Sequence, residues 1–264
     1  MKLSFSQIDT YNVCPLKYKY RYKDKLPEHL SKALSFGISI HASLYKFLSR
    51  IHTKKPQQDL FAETEKIPTL EDLHNDLDNS WNSVGYESKK DMYEKKVYGM
   101  KVLDSWYNSF LKSSSNILAL ENSFLLEIDD EISISGRFDR IDTISEDTIE
   151  IIDYKTGKLK TQAEADKNLQ LSLYYLAAKS LYPSKKIILS LYFLEHETKI
   201  MTQRTTHDTE ITKNLVTKTA EQIENQFFDP TPSEWNCSYC SYNKICPSAF
   251  TSSQNENGIP NKTN

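Results

Sequence analysis

Apolar residues recur at two spacings along this chain, and the change between them divides it into a helical part and a strand-rich part. In the first part they recur every three to four residues, which is the period of an amphipathic helix. This spacing predicts helices over residues 35–52, 70–81 and 92–111. In the second part they alternate or run together between acidic turns, as they do in β-strands. We therefore predict strands over residues 117–128, 132–141 and 148–154.

Further helices surround these strands. The pattern continues as a helix, a two-stranded hairpin and a helix, over residues 163–181, 186–194 with 198–204, and 209–227. Strands that alternate with helices indicate an α/β fold with a mixed central β-sheet flanked by helices. Near the N-terminus, Ser4 or Ser6 can cap another helix. That helix should be interrupted at Cys14-Pro15, because proline lacks an amide donor.

A length of 264 residues suffices for one large hydrophobic core. We predict a single domain over residues 1–250, with an N-terminal helical part at about 30–115 and a central core at about 116–205. Residues 53–68 are polar, contain two prolines and are predicted to form a loop. The segment 251–264 is rich in Ser and Asn and is predicted to be a disordered tail.

The charges are unevenly distributed along the chain. The net charge is −3, but residues 1–60 carry eleven Lys and Arg against four Asp and Glu. Such a basic region either attracts phosphates locally or is a solvated helix face. The chain has neither an apolar run of about 18 residues nor an N-terminal secretory signal. We therefore expect a soluble, cytoplasmic protein without membrane contact.

Two acidic residues and a lysine follow apolar, strand-like runs. Gly136-Arg-Phe-Asp139-Arg-Ile-Asp142 ends one predicted strand, and Asp153-Tyr-Lys155-Thr-Gly157 ends the next. Carboxylates hold hard divalent cations, which activate water and neutralise charge on a phosphate. Asp139 and Asp153 are therefore candidate ligands, and Lys155 can orient the water or stabilise the transition state. Strand alternation places Asp153 and Lys155 on one face.

The neutral imidazole of His41 and the backbone carbonyl of Tyr154 are further candidate ligands. Ordinary structural interpretations also exist: Asp142 or Asp153 as a turn residue at a strand end, Lys155 as a surface cation, and His41 as a core histidine. An Asp-x-Lys sequence alone is weak evidence for a site. Its position after an apolar strand, downstream of a strand ending in Gly-x-x-Asp, favours metal-dependent phosphodiester hydrolysis.

The cysteines form a second candidate site. Cys237, Cys240 and Cys246 lie in a turn-rich segment, and Cys14 lies near the N-terminus. Without a secretory signal, four cysteines favour a metal or redox role over a disulfide framework. Four thiolates suit either a zinc ion or an iron–sulfur cluster, and the spacing does not distinguish the two. Either group would act as a clasp between the two ends of the chain, with ligands at 14 and 237–246, and would add to the free energy of folding.

Cations alternate with tyrosines from Lys17 onwards. Lys17, Lys19 and Arg21 can contact phosphates, and tyrosine rings can stack on unpaired bases. Neighbouring helical residues point about 100° apart, so some of these tyrosines should face the core instead. We narrowly favour DNA contact over a purely structural role for the basic residues.

Together, these motifs resemble those of the PD-(D/E)xK nuclease superfamily in its RecB-like branch. The likeness spans nearly the whole chain and is specific in the order and spacing of its motifs. The motifs are Ser4-x-Ser-x-Ile-x-x-Tyr-x-x-Cys14-Pro15, Phe36-Gly-Ile-Ser-Ile-His41, Gly136-Arg-Phe-Asp139-Arg-Ile-Asp142, Asp153-Tyr-Lys155-Thr-Gly157 and Gln170-Leu-Ser-Leu-Tyr174. Phe138 stands where the superfamily name has proline, which this branch commonly lacks.

The resemblance implies a restriction-endonuclease-like core that binds Mg²⁺ or Mn²⁺. His41, Asp139 and Asp153 would be metal ligands, and Lys155 would be the catalytic lysine. The resemblance also implies that all four cysteines hold a [4Fe–4S] cluster, as in the iron–sulfur members of the branch.

Three other positions receive roles from the same resemblance. Gln170 and Tyr174 lie four residues apart on one helix face, where they would contact DNA or brace the site. Glu121, on the preceding strand, resembles an acidic position of many members and would be a supporting residue or a ligand of a second metal.

The activity implied is that of an exonuclease on single-stranded DNA or DNA ends. It would serve either recombinational DNA repair beside a separate helicase, as in AddB-like nucleases, or spacer acquisition with CRISPR adaptation proteins. The chain lacks a phosphate-binding Gly-x-x-x-x-Gly-Lys-Ser/Thr loop, so we expect no helicase motor of its own. The alternative is a catalytically inactive DNA-binding or scaffold protein with a nuclease-like fold. The presence of Asp139, Asp153 and Lys155 disfavours that alternative.

Overall fold

The computed structural model of this chain describes residues 1–52 and 67–250. The predicted tail and nearly all of the predicted loop lie outside the described residues. Residues 67–68, which end that loop, have no regular secondary structure, in agreement with the prediction.

Helices dominate the first part of the chain and alternate with strands in the second. The helices are α1 (Phe5–Val13), α2 (Pro15–Tyr18), α3 (Lys32–His52), α4 (Leu70–Ser80), α5 (Lys89–Lys112), α6 (Gln162–Asp166), α7 (Leu169–Leu181), α8 (Thr206–Glu224) and α9 (Glu234–Ser238). The strands are β1 (Lys2–Ser4), β2 (Ile117–Glu127), β3 (Ser133–Ser145), β4 (Thr148–Lys155), β5 (Lys186–Phe193) and β6 (Thr198–Thr202). A π-helical turn (Lys19–Lys23) follows α2, and a 3₁₀ turn (Leu194–His196) joins β5 to β6. Over the described ranges, no helix is both long and apolar enough to cross a bilayer.

The strands of the described chain form one mixed sheet. The order is β1-β3-β4-β5-β6, and β2 pairs with β3 outside this path. The β1–β3 and β4–β5 pairs are parallel, whereas the β2–β3, β3–β4 and β5–β6 pairs are antiparallel. The predicted α/β fold with a mixed, helix-flanked sheet is confirmed, as is the predicted hairpin.

Strand β3 organises the sheet because it pairs along both edges. On one edge, β2 pairs with residues 133–142. On the other edge, β1 pairs with residues 133–135 and β4 pairs with residues 140–145. Within the described sheet, Asp139 therefore lies in the stretch of β3 where β1 and β4 leave an opening. The Asp139 carboxylate therefore lies where the hydrogen-bond ladder along this edge of β3 is interrupted.

Strand β4 separates two hydrophobic cores. Its residues Ile149 and Ile151 belong to the core formed with α1, α7 and α8. Ile152 and Tyr154 belong to the core formed with α3, α4 and α5. Seven of its eight residues are buried, which is typical of a central strand covered by helices on both faces.

The predicted helix 163–181 was wrong in one respect, because two helices occupy that range. Asn168 caps α7 by accepting a hydrogen bond from the amide of Leu171. The Nη2 atom of Arg204 donates to the carbonyls of Ala165 and Asn168, both at 3.0 Å. These bonds satisfy the backbone groups that a break in a helix exposes.

The other boundaries are close to the predicted ones. Ser4 caps α1, and the extended Cys14 separates α1 from α2, both as predicted. Helix α8 begins earlier than predicted, because Thr205 is its cap. Asp208 reaches back to the Thr205 amide and completes a capping box. Strand β1 was not predicted, since a strand of three residues has too few positions to show alternation.

Gly136 determines how closely β2 and β3 meet. It pairs with Phe124, and a Cβ atom at Gly136 would overlap the Phe124 ring. That ring also packs against Phe138, with the ring centroids 4.7 Å apart. Because Gly136 has no side chain, the Phe124 ring can lie across β3. This packing maintains the β2–β3 register that positions Asp139.

We expect Gly136→Ala to lower the free energy of unfolding by about 1–3 kcal/mol, because it overpacks a filled core. Gly157→Ala is the matched control, since a Cβ atom there meets nothing within 4 Å. The control should change stability by less than about 0.5 kcal/mol. Urea denaturation of both variants measures the difference. Equal stability of the two would contradict this role for Gly136.

Candidate active site

An open cleft of about 810 Å³ lies where the end of β4 meets α3. Its lining brings together residues from five elements that are far apart in sequence. The predicted site residues in it are His41, Glu121, Asp139, Asp153, Tyr154, Lys155 and Gln170. Arg137 and Thr156, which the sequence did not single out, also line the cleft.

The two aspartates reach this cleft from neighbouring strands. Arg140 pairs with Ile152, so the same register places Asp139 opposite Asp153 on one face of the sheet. The Oδ2 atom of Asp139 accepts a hydrogen bond from the Tyr154 amide at 2.9 Å. In a continuous sheet, a backbone carbonyl would accept the hydrogen bond from this amide. Here the Asp139 carboxylate accepts it instead. This atom also lies 3.4 Å from Nδ1 of His41.

Asp153 is buried, with only 2% of its surface exposed. Its Oδ1 atom accepts a hydrogen bond from Nε2 of Gln170 at 2.9 Å and lies 3.3 Å from the Tyr174 hydroxyl. Its Oδ2 atom lies 2.6 Å from Nζ of Lys155. Within the described residues, this contact falls outside ordinary hydrogen-bond angles, and no other donor reaches Oδ2. A buried carboxylate is unfavourable unless a cation is close to it, and the ammonium of Lys155 is such a cation.

The amide of Gln170 connects the groups around Asp153. Its Nε2 atom donates to Asp153 and to the Tyr174 hydroxyl, both at 2.9 Å, and its Oε1 atom accepts from Lys155 at 2.8 Å. The Tyr174 hydroxyl lies 2.9 Å from the carbonyl of Arg137, to which it donates. This geometry favours the bracing role for both residues, which the sequence left open beside DNA contact.

The charges in the cleft influence one another. Burial raises the pKa of Asp153, and the charge of Lys155 opposes that rise without cancelling it. Burial lowers the pKa of Lys155, but the charge and hydrogen bond of Asp153, together with the charge of Asp139, outweigh burial and raise the pKa. Burial also lowers the pKa of His41, but the hydrogen bond to Asp139 and the charges of Asp139 and Asp153 together outweigh burial and raise the pKa. A bound divalent cation changes this balance, because it favours ionised carboxylates and a neutral imidazole.

Glu121 occupies a strained position beside the aspartates. The β2–β3 register places it opposite Asp139, but its φ of 47° lies in the left-handed region. Such a conformation is unfavourable for a residue other than glycine and is concentrated at functional sites. Its Oε2 atom lies 2.5 Å from Nε of Arg137. Burial raises the pKa of Glu121, and the charge of Arg137 opposes this rise.

A glycine allows α3 to approach the end of β4. A Cβ atom at Gly37 would lie 3.0 Å from Oγ1 of Thr156, which directly follows Lys155. His41 is one helical turn further along α3, so this close approach brings the imidazole to the carboxylates. The sequence showed the glycine but not the residue that it accommodates.

The donor atoms of the cleft fit a divalent cation that is completed by water and substrate. Throughout residues 1–52 and 67–250, no three His, Cys, Asp or Glu side chains form a preassembled metal-binding group. Mg²⁺, however, is commonly held by one or two carboxylates together with waters and substrate phosphates. Asp139 and Asp153 supply two carboxylates, and among the described residues Oδ2 of Asp153 has the ammonium of Lys155 beside it but no donor at ordinary hydrogen-bond angles.

The second half of the Gly136–Asp142 motif lies on the opposite face of the sheet. Arg140 donates from Nε and Nη2 to the Asp142 carboxylate, at 2.6 and 2.5 Å, and from Nη1 to the Tyr154 hydroxyl at 3.1 Å. All three residues are buried. The interpretation of Asp142 as a turn residue was wrong, because β3 continues to Ser145. The Tyr154 ring belongs to this buried cluster, while its backbone lies beside Asp139.

The four cysteines line a single pocket, although they come from opposite ends of the chain. None of them forms a disulfide. Burial raises the pKa of the Cys240 thiol, the Tyr242 amide opposes this, and the nearby Cys14 and Cys246 raise it further. The amide of Phe250 donates to Sγ of Cys237 at 3.3 Å.

Aromatic residues around the cysteines differ in exposure. Tyr242 is buried, and its hydroxyl donates to the carbonyl of Leu26 at 3.1 Å. Trp235 and Tyr239 are 70% and 72% exposed, so they do not cover the pocket. Their rings contact each other instead, with centroids 5.0 Å apart.

The basic segment is largely engaged in contacts within the protein. Lys19 pairs with Asp24 at 3.6 Å, and Arg21 pairs with Glu28 at 2.9 Å. Lys17 lines the cysteine pocket. The tyrosine rings between them pack internally, as Tyr18 is 3% exposed and contacts Tyr11 and Tyr22. DNA contact by these cations stays a prediction.

Comparison with known proteins identifies the family of the chain. A family model of the PD-(D/E)XK nuclease superfamily matches residues 2–247. "Gene 69 protein" of Mycobacterium phage D29 is 23% identical over 273 residues, which cover 92% of this chain and 96% of that protein. A solved structure described as "Crystal structure of SSO0001" aligns at 17% identity with a TM-score of 0.39, covering 88% of this chain and 95% of that chain. A TM-score this low carries no argument about fold or function.

We expect Mn²⁺ to bind in the cleft, and isothermal titration calorimetry measures this directly. Asp139→Asn and Asp153→Asn should each weaken binding at least about tenfold, because each removes an anionic oxygen ligand. Asp130→Asn makes the same chemical change at an exposed position between β2 and β3, and it should bind like the wild type. Unchanged affinity in both cleft variants would contradict the metal site.

Proposed function

Because the chain belongs to the PD-(D/E)XK nuclease superfamily, we propose that it is a Mg²⁺- or Mn²⁺-dependent deoxyribonuclease that hydrolyses phosphodiester bonds in the cleft. Superfamily membership implies a metal-dependent nuclease that acts on nucleic acid. We further propose that its substrate is DNA rather than RNA and that individual residues of the cleft have the roles given below. The observation that carries it is the buried Oδ2 atom of Asp153, which has Lys155 beside it and Asp139 on the next strand.

In this proposal, Asp139 and Asp153 hold the cation, with the imidazole of His41 and the carbonyl of Tyr154 as further ligands. The cation supplies an activated water and neutralises charge on the phosphate. The ammonium of Lys155 lies 2.6 Å from Asp153, where it can orient that water or stabilise charge that develops in the transition state. Gln170 and Tyr174 keep both groups in position. Glu121 supports the site through its ion pair with Arg137.

We infer that the substrate is single-stranded DNA or a DNA end, which an exonuclease would digest. An apolar face of α3 lines the cleft opposite the carboxylates. Leu34, Ile38 and Tyr45 on this face are 46%, 43% and 44% exposed. Unpaired bases can pack against apolar and aromatic side chains, whereas the bases of a duplex are stacked on one another. This face therefore supports a single strand over a continuous duplex.

We also propose that Cys14, Cys237, Cys240 and Cys246 hold a [4Fe–4S] cluster, as in the RecB-like branch. A zinc ion would need all four sulfur atoms at about 2.3 Å from one point, so they would nearly touch one another. A cluster is larger and allows its thiolates to be further apart. The shared pocket brings the four thiols together and supports one common metal group, and the resemblance to the RecB-like branch favours the cluster over zinc. The cluster would hold Cys14, at the break between α1 and α2, to the C-terminal segment that carries the other three cysteines.

The biological setting is either DNA repair and recombination beside a separate helicase, or CRISPR spacer acquisition with adaptation proteins. Both settings supply single strands or ends, so the cleft is compatible with either. The alternative function is that of a catalytically inactive DNA-binding or scaffold protein. The intact ion pair of Asp153 with Lys155 disfavours it, because a binding protein has no need of a buried carboxylate without a donor.

The nuclease assay uses single-stranded DNA labelled at either end, with Mg²⁺, Mn²⁺ or chelator. We expect cleavage with metal only, and Asp153→Asn and Lys155→Met should each reduce kcat about a hundredfold or more. Asp130→Asn and Lys213→Met make the same changes at exposed sites and should retain wild-type rates. Stepwise shortening from one labelled end would support exonuclease action. Binding without any metal-dependent cleavage would favour the scaffold alternative.

The cluster predicts a brown protein with absorbance near about 400 nm. Cys240→Ser should abolish this absorbance and lower the melting temperature, because the metal closes a loop of most of the chain. Ser238→Ala, in the same segment, should change neither. A colourless wild-type protein that contains one equivalent of zinc would reject the cluster in favour of zinc.

A further inference from the structure

A second open cavity adjoins the cleft on the other side of Lys155. Its volume is about 650 Å³, and Lys155 and Gln170 line both cavities. We call it the α6 groove. The other residues that line it are Phe5, Asp9, Lys160, Ala163, Glu164, Lys167, Asn168 and Leu169. Lys155 and Gln170, which belong to the proposed reaction centre, therefore lie at the boundary between the two cavities.

The α6 groove contains two lysines that form no ion pair within the described residues. Lys160 and Lys167 are both exposed. Across the described part of the chain, neither of them forms an ion pair, whereas Lys19 and Arg21 of the basic segment do. An ammonium without a protein partner binds phosphate without first breaking an existing ion pair.

Two acids also line this groove, and they differ in their hydrogen-bond partners. Glu164 accepts hydrogen bonds from the amide and hydroxyl of Thr161, at 2.7 and 2.9 Å, as part of a capping box. Asp9, on α1, has no such partner within the described ranges. It is close enough to Lys160 and Lys155 for their charges to lower its pKa against the rise that burial causes. Asp9 therefore competes with a phosphate for the same cations.

The apolar part of the lining suits a single strand. Phe5 and Leu169 are half-buried, so each presents part of its side chain to the groove. Single-strand sites combine cations along the backbone with aromatic or apolar surfaces for the bases. The α6 groove has both kinds of group, and the cleft contributes its own apolar face from α3.

We propose that the α6 groove binds the sugar–phosphate backbone of the same nucleic-acid strand that occupies the cleft. The strand would pass over Lys155 and Gln170, and its phosphates on the far side would lie against Lys160 and Lys167. Nucleotides would then flank the scissile phosphate on both sides. The identity of the strand rests on the proposed function, but its binding is measured independently of cleavage.

The test measures binding of a fluorescent oligothymidylate, long enough to span both cavities, by anisotropy in chelator at several salt concentrations. Lys160→Ala/Lys167→Ala should weaken binding about tenfold at low salt. The slope of log affinity against log salt should fall by about 1.4, or about 0.7 for each lost phosphate contact. Asp9→Asn should have the opposite effect and strengthen binding, because it removes the competing carboxylate.

Two matched controls separate the groove from general charge effects. Lys213→Ala/Lys218→Ala removes the same charge from exposed positions of α8, which line neither cavity, and should change affinity less than about twofold. Asp130→Asn is the matched control for Asp9→Asn and should leave affinity unchanged. Equal losses from the two lysine pairs, or no gain from Asp9→Asn, would overturn the proposal. Groove-dependent binding by a protein that cleaves nothing would support the groove and contradict the proposed nuclease.

Discussion

The ion pair between the buried Asp153 and the partly exposed Lys155 is the interaction on which the geometry of the cleft depends. Both residues lie near the end of a central strand, where helices cover both faces and water cannot solvate the carboxylate fully. The protein offsets this desolvation with the amide of Gln170, which binds the carboxylate and the ammonium at once. The position of Gln170 on α7 is therefore coupled to the charges of Asp153 and Lys155 on β4. The same arrangement leaves Oδ2 of Asp153 buried beside Lys155, with no other donor among the described residues.

The strands and most helices could be predicted from the sequence, because hydrophobic periodicity reports which side of each element is buried. The order of strands and helices then indicated a mixed sheet. Two features could not be found in this way. Strand β1 is too short to show a period, and the break between α6 and α7 depends on Arg204, which lies far along the chain. Both depend on contacts between distant residues, which local patterns do not contain.

The candidate site shows the same division. Asp139, Asp153 and Lys155 were found because each stands at the end of an apolar run, and the structure gathers them in one cleft with His41 and Gln170. The strain at Glu121 and its pairing with Arg137 depend on the β2–β3 register and were not visible in the sequence. The basic segment near the N-terminus was a candidate through its composition, yet two of its cations, Lys19 and Arg21, are paired with acids of the protein. The unpaired lysines of the α6 groove are scattered in sequence and become a group only when folded.

The central claim is that Asp139 and Asp153 share one divalent cation beside Lys155. Anomalous diffraction at the manganese edge, from crystals soaked in Mn²⁺, locates such an ion without reference to activity. The account predicts a single strong peak between the two carboxylates, within coordination distance of Oδ2 of Asp153. A peak elsewhere, or an unoccupied cleft at saturating Mn²⁺ with Asp153 still paired only to Lys155, would contradict it.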